Sequence, residues 1–439
     1  MKVTFRHLKF CEMIFFKKIA LLLVFWGAMG VCSAAGAIYS DTLKLDLKTA
    51  EKRFLDQNID LLISKTNIDQ AKALLLQSKI WENPEIDLNR ELYNTDTKKF
   101  LTHNSNTQFD VAYSQLITTA GKYFKQIQIN KQQVQLNEYQ FYDQQRSLKL
   151  ALRQNFYDLA NAQQKLLVIQ DGAQELGKLV EATQLQVEHG NAARKELIRL
   201  QSLVLQYATE QTEIYNTIAE NESDLKQLLN YSANEYIVPV LDTTGADLPL
   251  KIAALTFDTL ESTALQNRYD LLQANLQTDI GKNSVTLEKM RGAPDFHMGL
   301  DYDRFGSAFP SYIGLTVGVP LPLWNFNQGN IKAAKAQYEQ VKLQQQSKQL
   351  EIHNTLMSAY AQLLNENKLY QSINKAYYTS FNEIYGNIYD SYKTRTIGLI
   401  EFLDYFESYK DTRFNLIDIE TQLRKQAQQL NYETGKDIL

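Results

Sequence analysis

The sequence is poor in the residues that staple or punctuate a compact fold. It has two cysteines in 439 residues, Cys11 and Cys32, both near the amino terminus. The rest of the chain can form neither disulfides nor thiolate metal sites. Seven prolines and 18 glycines are too few for the many tight turns that two or three globular domains of this length would need. His103, His189, His297 and His353 are scattered, with no histidine pair at helical spacing, so no metal is expected. There is no nucleophile elbow, phosphate-cradling loop or zincin pattern, so neither an enzyme nor a cofactor is expected. The apolar run from Ile19 to Val31 is shorter than a bilayer-spanning helix requires.

That run reads instead as an export signal. Lys17 and Lys18 precede it, and the small residues Ser33, Ala34 and Ala35 follow, which places cleavage near Ala34 and makes residues 1–34 a signal peptide. Met13 is an alternative start. A lipidated Cys32 is a weaker reading, because Val31 stands where lipoprotein signals carry a small residue. Removing residues 1–34 takes away Lys2, Arg6, Lys9, Lys17, Lys18 and Glu12, so the net charge moves from −4 to −8 (−4 − 5 + 1). An acidic exported chain is a poor partner for nucleic acid.

What the chain has in quantity is long helical periodicity, twice over. Gly121 and Gly190 are 69 residues apart (190 − 121), as are Gly329 and Gly398 (398 − 329), and neither interval contains proline. Within the first interval Leu148, Leu152, Phe156, Leu159, Leu166, Ile169, Leu176, Val180 and Val187 form one apolar stripe. A straight helix of that span would be about 100 Å long. A second periodicity links the two intervals, because Leu55, Asp60-Leu61-Leu62 and Pro84 recur 210 residues on as Leu265, Asp270-Leu271-Leu272 and Pro294. The chain is read as a duplication, with repeats at 35–230 and 257–439 joined by a linker at 231–256 that carries Pro239, Gly245 and Pro249.

Each repeat opens with a helix, expected at 47–80 in the first copy and closed by Trp81-Glu-Asn-Pro84. The period then changes to two. Phe296, Met298, Leu300 and Tyr302, then Ile313, Leu315 and Val317, alternate with small or polar residues, as in strands with lipid on one side and water on the other. Ile86 and Leu88, then Phe109, Val111 and Tyr113, repeat this more faintly. A soluble hairpin packed on a core has the same alternation, and four strands cannot close a membrane barrel without further chains. After each long helix the chain turns at Gly190 or Gly398. Return helices follow, with seams at Leu197, Leu200, Val204, Tyr207, Ile214, Ile218, Leu225 and Leu228, and at Leu399, Phe402, Phe406, Tyr409, Leu416, Leu423 and Leu430. Leu-Asn-Tyr, at 229–231 and 430–432, is expected to end both, one return helix being a heptad longer than the other.

In this order of elements, in the Ile397-Gly398-Leu399 tip and in the Glu401-Phe-Leu-Asp404 that follows it, the chain resembles the TolC family of outer-membrane efflux ducts. The junction Val319-Pro-Leu-Pro-Leu-Trp-Asn-Phe-Asn-Gln-Gly329 is similar to that of its cation-efflux branch, the CzcC and CusC type. The resemblance implies a mainly α fold with a transmembrane β-barrel part, built as a homotrimer with four strands from each chain. It implies a passive duct in the outer membrane that extends into the periplasm, docks on a periplasmic adaptor and is driven by an inner-membrane pump. Metal cations or small toxic compounds would be the cargo; a duct for type I protein secretion is the alternative, and a non-transporting periplasmic coiled-coil scaffold a weaker one. Glu401 and Asp404 would form an acidic constriction at the periplasmic mouth, although first-turn acids also suit a helix dipole. Gly190, Asn191, Ala192, Ile397, Gly398 and Leu399 would touch the adaptor, and Phe296, Met298, Leu300, Ile313, Leu315 and Val317 would face outer-membrane lipid.

Overall fold

The computed structural model describes residues 41–439 apart from 96–97, 102–106, 242–246, 305–308 and 374–386. The expected export signal, with Cys11 and Cys32, lies outside the described residues, as do His103 and Gly245. Strand β1 (Asp41–Asp46) leads into α1 (Leu47–Gln57), α2 (Ile59–Ser78) and strand β2 (Glu85–Arg90). A small hairpin, β3 (Tyr93–Asn94) and β4 (Lys99–Phe100), precedes β5 (Phe109–Ile117). The long helix α3 (Lys122–Glu188) and its return α4 (Arg194–Leu228) complete the first copy. Then come β6 (Glu235–Val240), α5 (Leu248–Ala253), α6 (Phe257–Asn267), α7 (Tyr269–Arg291), β7 (Phe296–Arg304), β8 (Tyr312–Gly318), α8 (Gln328–Ser372) and α9 (Leu399–Thr434).

The helix expected at 47–80 is two helices. Asn58 interrupts it with extended backbone, caps α2 by accepting from the Leu61 amide at 3.0 Å and donates its own amide to the Leu228 carbonyl at 2.8 Å. A capping side chain with a second, distant partner fixes the bend. In the second copy Arg268 holds the equivalent joint between α6 and α7.

The long helix of the first copy runs unbroken for 67 residues. Its apolar stripe is the core: Leu152, Phe156, Leu159, Ile169 and Leu176 are fully buried, against Leu200, Tyr207, Ile218 and Leu225 of α4 and the start of α9. A second core gathers Ile252, Leu260, Leu271, Ile352, Leu356, Leu363, Leu423 and Leu430, so α9 joins both. The long helix of the second copy corrects the expectation, because α8 stops at Ser372 after 45 residues, with Ile373 in extended conformation. Helix resumes among the described residues at 387–393.

The return helices are nearly equal, at 35 and 36 residues, rather than a heptad different. Leu-Asn-Tyr is not a shared helix end. Leu229 caps α4 and Asn230 has φ +48°, whereas Leu430, Asn431 and Tyr432 lie inside α9.

The stretch 231–256, expected as a linker packed on the outside of the helical body, holds elements of its own. Strand β6 pairs in parallel with β1, with Leu43 opposite Ile237 and Leu45 opposite Pro239. The buried Glu222 on α4 accepts from the Ile237 amide at 3.2 Å, and Gln163 on α3 donates to the Ile237 carbonyl at 2.7 Å. The strand pair is thus fastened to both helices around the waist of the bundle. Two short strands with one proline leave little periodicity to read.

Candidate functional site

The four strands of the main sheet are ordered β2-β5-β7-β8, all antiparallel. Their register sorts side chains into two faces. Ile86 lies opposite Tyr113, Tyr113 opposite Leu300 and Leu300 opposite Leu315. The same face carries Leu88, Val111, Tyr302 and Ile313 in the next row, with Met298 and Val317 paired below. Leu300, Ile313, Leu315 and Val317 are more than half exposed, Met298 less so, and Phe296, paired with Ile117, is half-buried. An exposed apolar face of this extent on a sheet has to be covered by something other than water.

The opposite face has the reverse chemistry. Glu85, Asp87, Asp110, Asp301 and Asp303 all point there, with Asn89, Ala112, Ser114, His297, Gly299, Gly314 and Thr316 between them. Thr316 donates to the Asp301 carboxylate. The two basic residues of these strands, Arg90 and Arg304, flank Phe109 on the apolar face, at the end remote from the helices. Charge sign is therefore segregated by face, which alternation of apolar residues alone does not require.

At the far end of the helices the two turns are built alike, but not from the matching glycines. Gly190 has φ +74°, and the Asn191 amide donates to the Gln186 carbonyl at 2.7 Å. In the second turn the left-handed residue is Arg395, φ +60°, and the Thr396 amide donates to the Ser391 carbonyl at 2.8 Å. Gly398 does not reverse the chain: with φ −83° it is the N-cap of α9, as Ala193 is of α4. The Arg395 guanidinium donates to the Asn191 carbonyl at 2.6 Å and joins the two tips. Sequence reading missed Arg395, since a left-handed turn closed by a long side chain has no glycine to mark it.

The tips rest on an aromatic stack. Tyr392 lies over Phe402 at 4.8 Å, and Phe406 contacts both Phe402 and Tyr207 at 5.5 Å. Burial, together with the nearby Glu175 carboxylate, pushes the Tyr389 hydroxyl up to about 12. Leu399 is buried in this packing, while Asn191 is exposed and Ile397 half-buried. Glu401 and Asp404 lie on α9 on the face away from Phe402 and Phe406, and both are exposed. Among the described residues no group of His, Cys, Asp and Glu could hold a metal, and no helix is long and apolar enough to cross a membrane.

A two-faced sheet thus continues these long helices, and among the described residues its outer strands, β2 and β8, pair on one side only. Residues 260–436 match the outer membrane efflux protein family. No curated protein matches the chain in sequence. Among solved structures it is similar to CusC, whose crystals describe transmembrane channel formation, at 15% identity and TM-score 0.72, covering 91% of this chain and 94% of that one. It is also similar to the Campylobacter jejuni CmeC outer membrane channel (16%, TM-score 0.72, 89% and 86%) and the Neisseria gonorrhoeae MtrE outer membrane channel (13%, TM-score 0.70, 89% of each).

Proposed function

We propose that this chain is the outer-membrane duct of a tripartite efflux system and that its lumen favours cations. Three copies would place the apolar faces outward against lipid and the acidic faces inward around a water-filled bore. The adaptor would meet the tips at Gly190, Asn191, Ile397 and Gly398, with Leu399 buried beneath them rather than in contact, and the pump would supply the energy. The observation that carries the cation preference is the segregation of all five strand carboxylates onto one face, with both strand arginines on the other. Low-dielectric walls focus such a field and concentrate counter-ions. This favours metal cations or cationic compounds over an unfolded polypeptide of mixed charge as cargo.

At the opposite end, Glu401 and Asp404 would converge on a threefold axis as six carboxylates and narrow the mouth. The test is conductance in planar bilayers. Glu401→Ala with Asp404→Ala should lower cation selectivity and relieve block by added divalent ions, while Glu213→Ala with Glu220→Ala, exposed acids of α4, should do neither. Glu210 cannot serve as such a control, because it is bound by Lys410 at 2.8 Å. Equal selectivity in both double variants would remove the mouth from the proposal.

A further inference from the structure

The row of the main sheet farthest from the helices carries charges that a lipid-facing surface does not need. There Arg90 of β2 lies opposite Phe109 of β5, and Phe109 lies opposite Arg304 of β7, all three on the apolar face. Arg90 is exposed, while Phe109 and Arg304 are half-buried. The small hairpin that follows Arg90 adds Lys98 and Lys99, both exposed, and Glu91 is the one acid among the described residues between 91 and 101. The opposite end of the sheet is marked differently. Trp81, ahead of β2, and Leu321, Leu323 and Trp324, after β8, stand exposed where the strands meet the helices. Within β2, β5, β7 and β8, guanidinium groups occur only in the remote row.

A charge on a lipid-facing strand is costly at the middle of the bilayer and is accepted near an interface, where anionic head groups can meet it. With the helices in the periplasm, the remote row stands at the external leaflet. Two inter-strand steps separate Arg90 from Arg304, a span of about 10 Å, with the Phe109 ring between them. Guanidinium forks match phosphate bidentately, and two of them held at a fixed span suit two phosphates held on one rigid headgroup. Each arginine also has an interaction within the chain, and a guanidinium with five donors can serve a further acceptor.

We propose that Arg90 and Arg304, on either side of Phe109, clamp the phosphate groups of one bisphosphorylated glycolipid of the external leaflet. The proposal rests on the reading of the apolar face as lipid-facing, and adds to it a headgroup site at one end only. The sheet would thereby be fixed in depth and orientation: an aromatic and aliphatic end in the periplasmic leaflet, a cationic end in the external one.

The test is native mass spectrometry of the full chain in mild detergent, titrated with a bisphosphorylated glucosamine-disaccharide lipid, with its monophosphorylated form and with phosphatidylglycerol. The first should bind the parent about tenfold more tightly than the other two, as a further charge-assisted contact predicts. Arg90→Gln with Arg304→Gln should abolish this preference. Arg90→Lys with Arg304→Lys, which keeps the charge but not the fork, should retain only part of it. Arg291→Gln, an exposed arginine at the helix-side end of the sheet, should leave it intact. Where the double glutamine variant does not assemble, each single glutamine variant should bind the two glycolipids alike. A parent that binds all three lipids equally, or glutamine variants that keep the preference, would overturn the site. A parent recovered only in the soluble fraction overturns instead the lipid-facing reading beneath it.

Discussion

The two copies share a plan and differ in how they carry it down the length of the molecule. In the first, α3 is continuous through Gln164-Lys165-Leu166, three good helix formers. In the second copy α8 ends at Ser372, whose hydroxyl donates to the Leu369 carbonyl at 2.7 Å, and the β-branched Ile373 follows in extended conformation. The left-handed caps that open the two long helices, Gly121 and Asn327, stand 206 apart (327 − 121), and the left-handed residues of the two turns, Gly190 and Arg395, stand 205 apart (395 − 190). The two copies thus stay nearly in step from helix start to tip although α8 ends early.

The sharpest way to probe this difference is proline. Lys165→Pro, inside the continuous helix and away from any joint, should cost about 3 kcal/mol or more, besides the ion pair of Lys165 with Asp418 at 2.6 Å. Ile373→Pro should cost far less, since the backbone is already extended and one 3.3 Å bond to Tyr370 is lost. Thermal melting of the detergent-solubilised protein compares them, and equal losses would show that the second helix is continuous after all.

The next effect sits on the sheet of the second copy. Leu315→Lys should impair membrane assembly by about 2–4 kcal/mol. Gly318→Lys, on the acidic face with nothing within 4 Å of an added Cβ, should be accepted. Similar assembly of the two would dissolve the distinction between faces.

Smaller effects are expected at the tips. Gly190→Ala meets no neighbour but forces an alanine into the left-handed region, at about 1–2 kcal/mol. Arg395→Gly removes similar strain but also the hydrogen bond to Asn191, worth about 1 kcal/mol, so the two offset. Local hydrogen exchange at 187–193 and 392–398 would register the asymmetry.

The least effect is conditional on pH. Burial alone would raise the Asp270 carboxyl, but the Arg268 guanidinium, with Arg146 nearby, holds it below the usual carboxylate range. A folded-state value lower than the unfolded one gives stability that is complete above the ordinary range and is lost as pH falls through the folded value. Melting temperature should therefore fall below about pH 4 in the parent, and part of that fall should vanish in Asp270→Asn.

Much of this was legible in the sequence because period translates directly into face. The stripe from Leu148 to Leu176 and the alternation from Ile313 to Val317 each required only that neighbours on one face share chemistry. The carboxylates of the polar face were visible one strand at a time, but that five of them converge needed the strand register. Arg395 was hidden, since nothing in its neighbourhood distinguishes it from a helical arginine. The pairing of β1 with β6 spans nearly two hundred residues and rests on Glu222 and Gln163, whose roles depend on helices that sequence cannot place side by side.

By itself, the sequence determined the helix and strand periods, because each is a property of local order along the chain. The tertiary structure decided where the helices end, which residue turns each tip and that the waist carries a strand pair. Those outcomes depend on partners distant in sequence: Asn58 bends the chain because Leu228 is there to accept its amide, and Arg395 closes the second tip because Asn191 is within its reach.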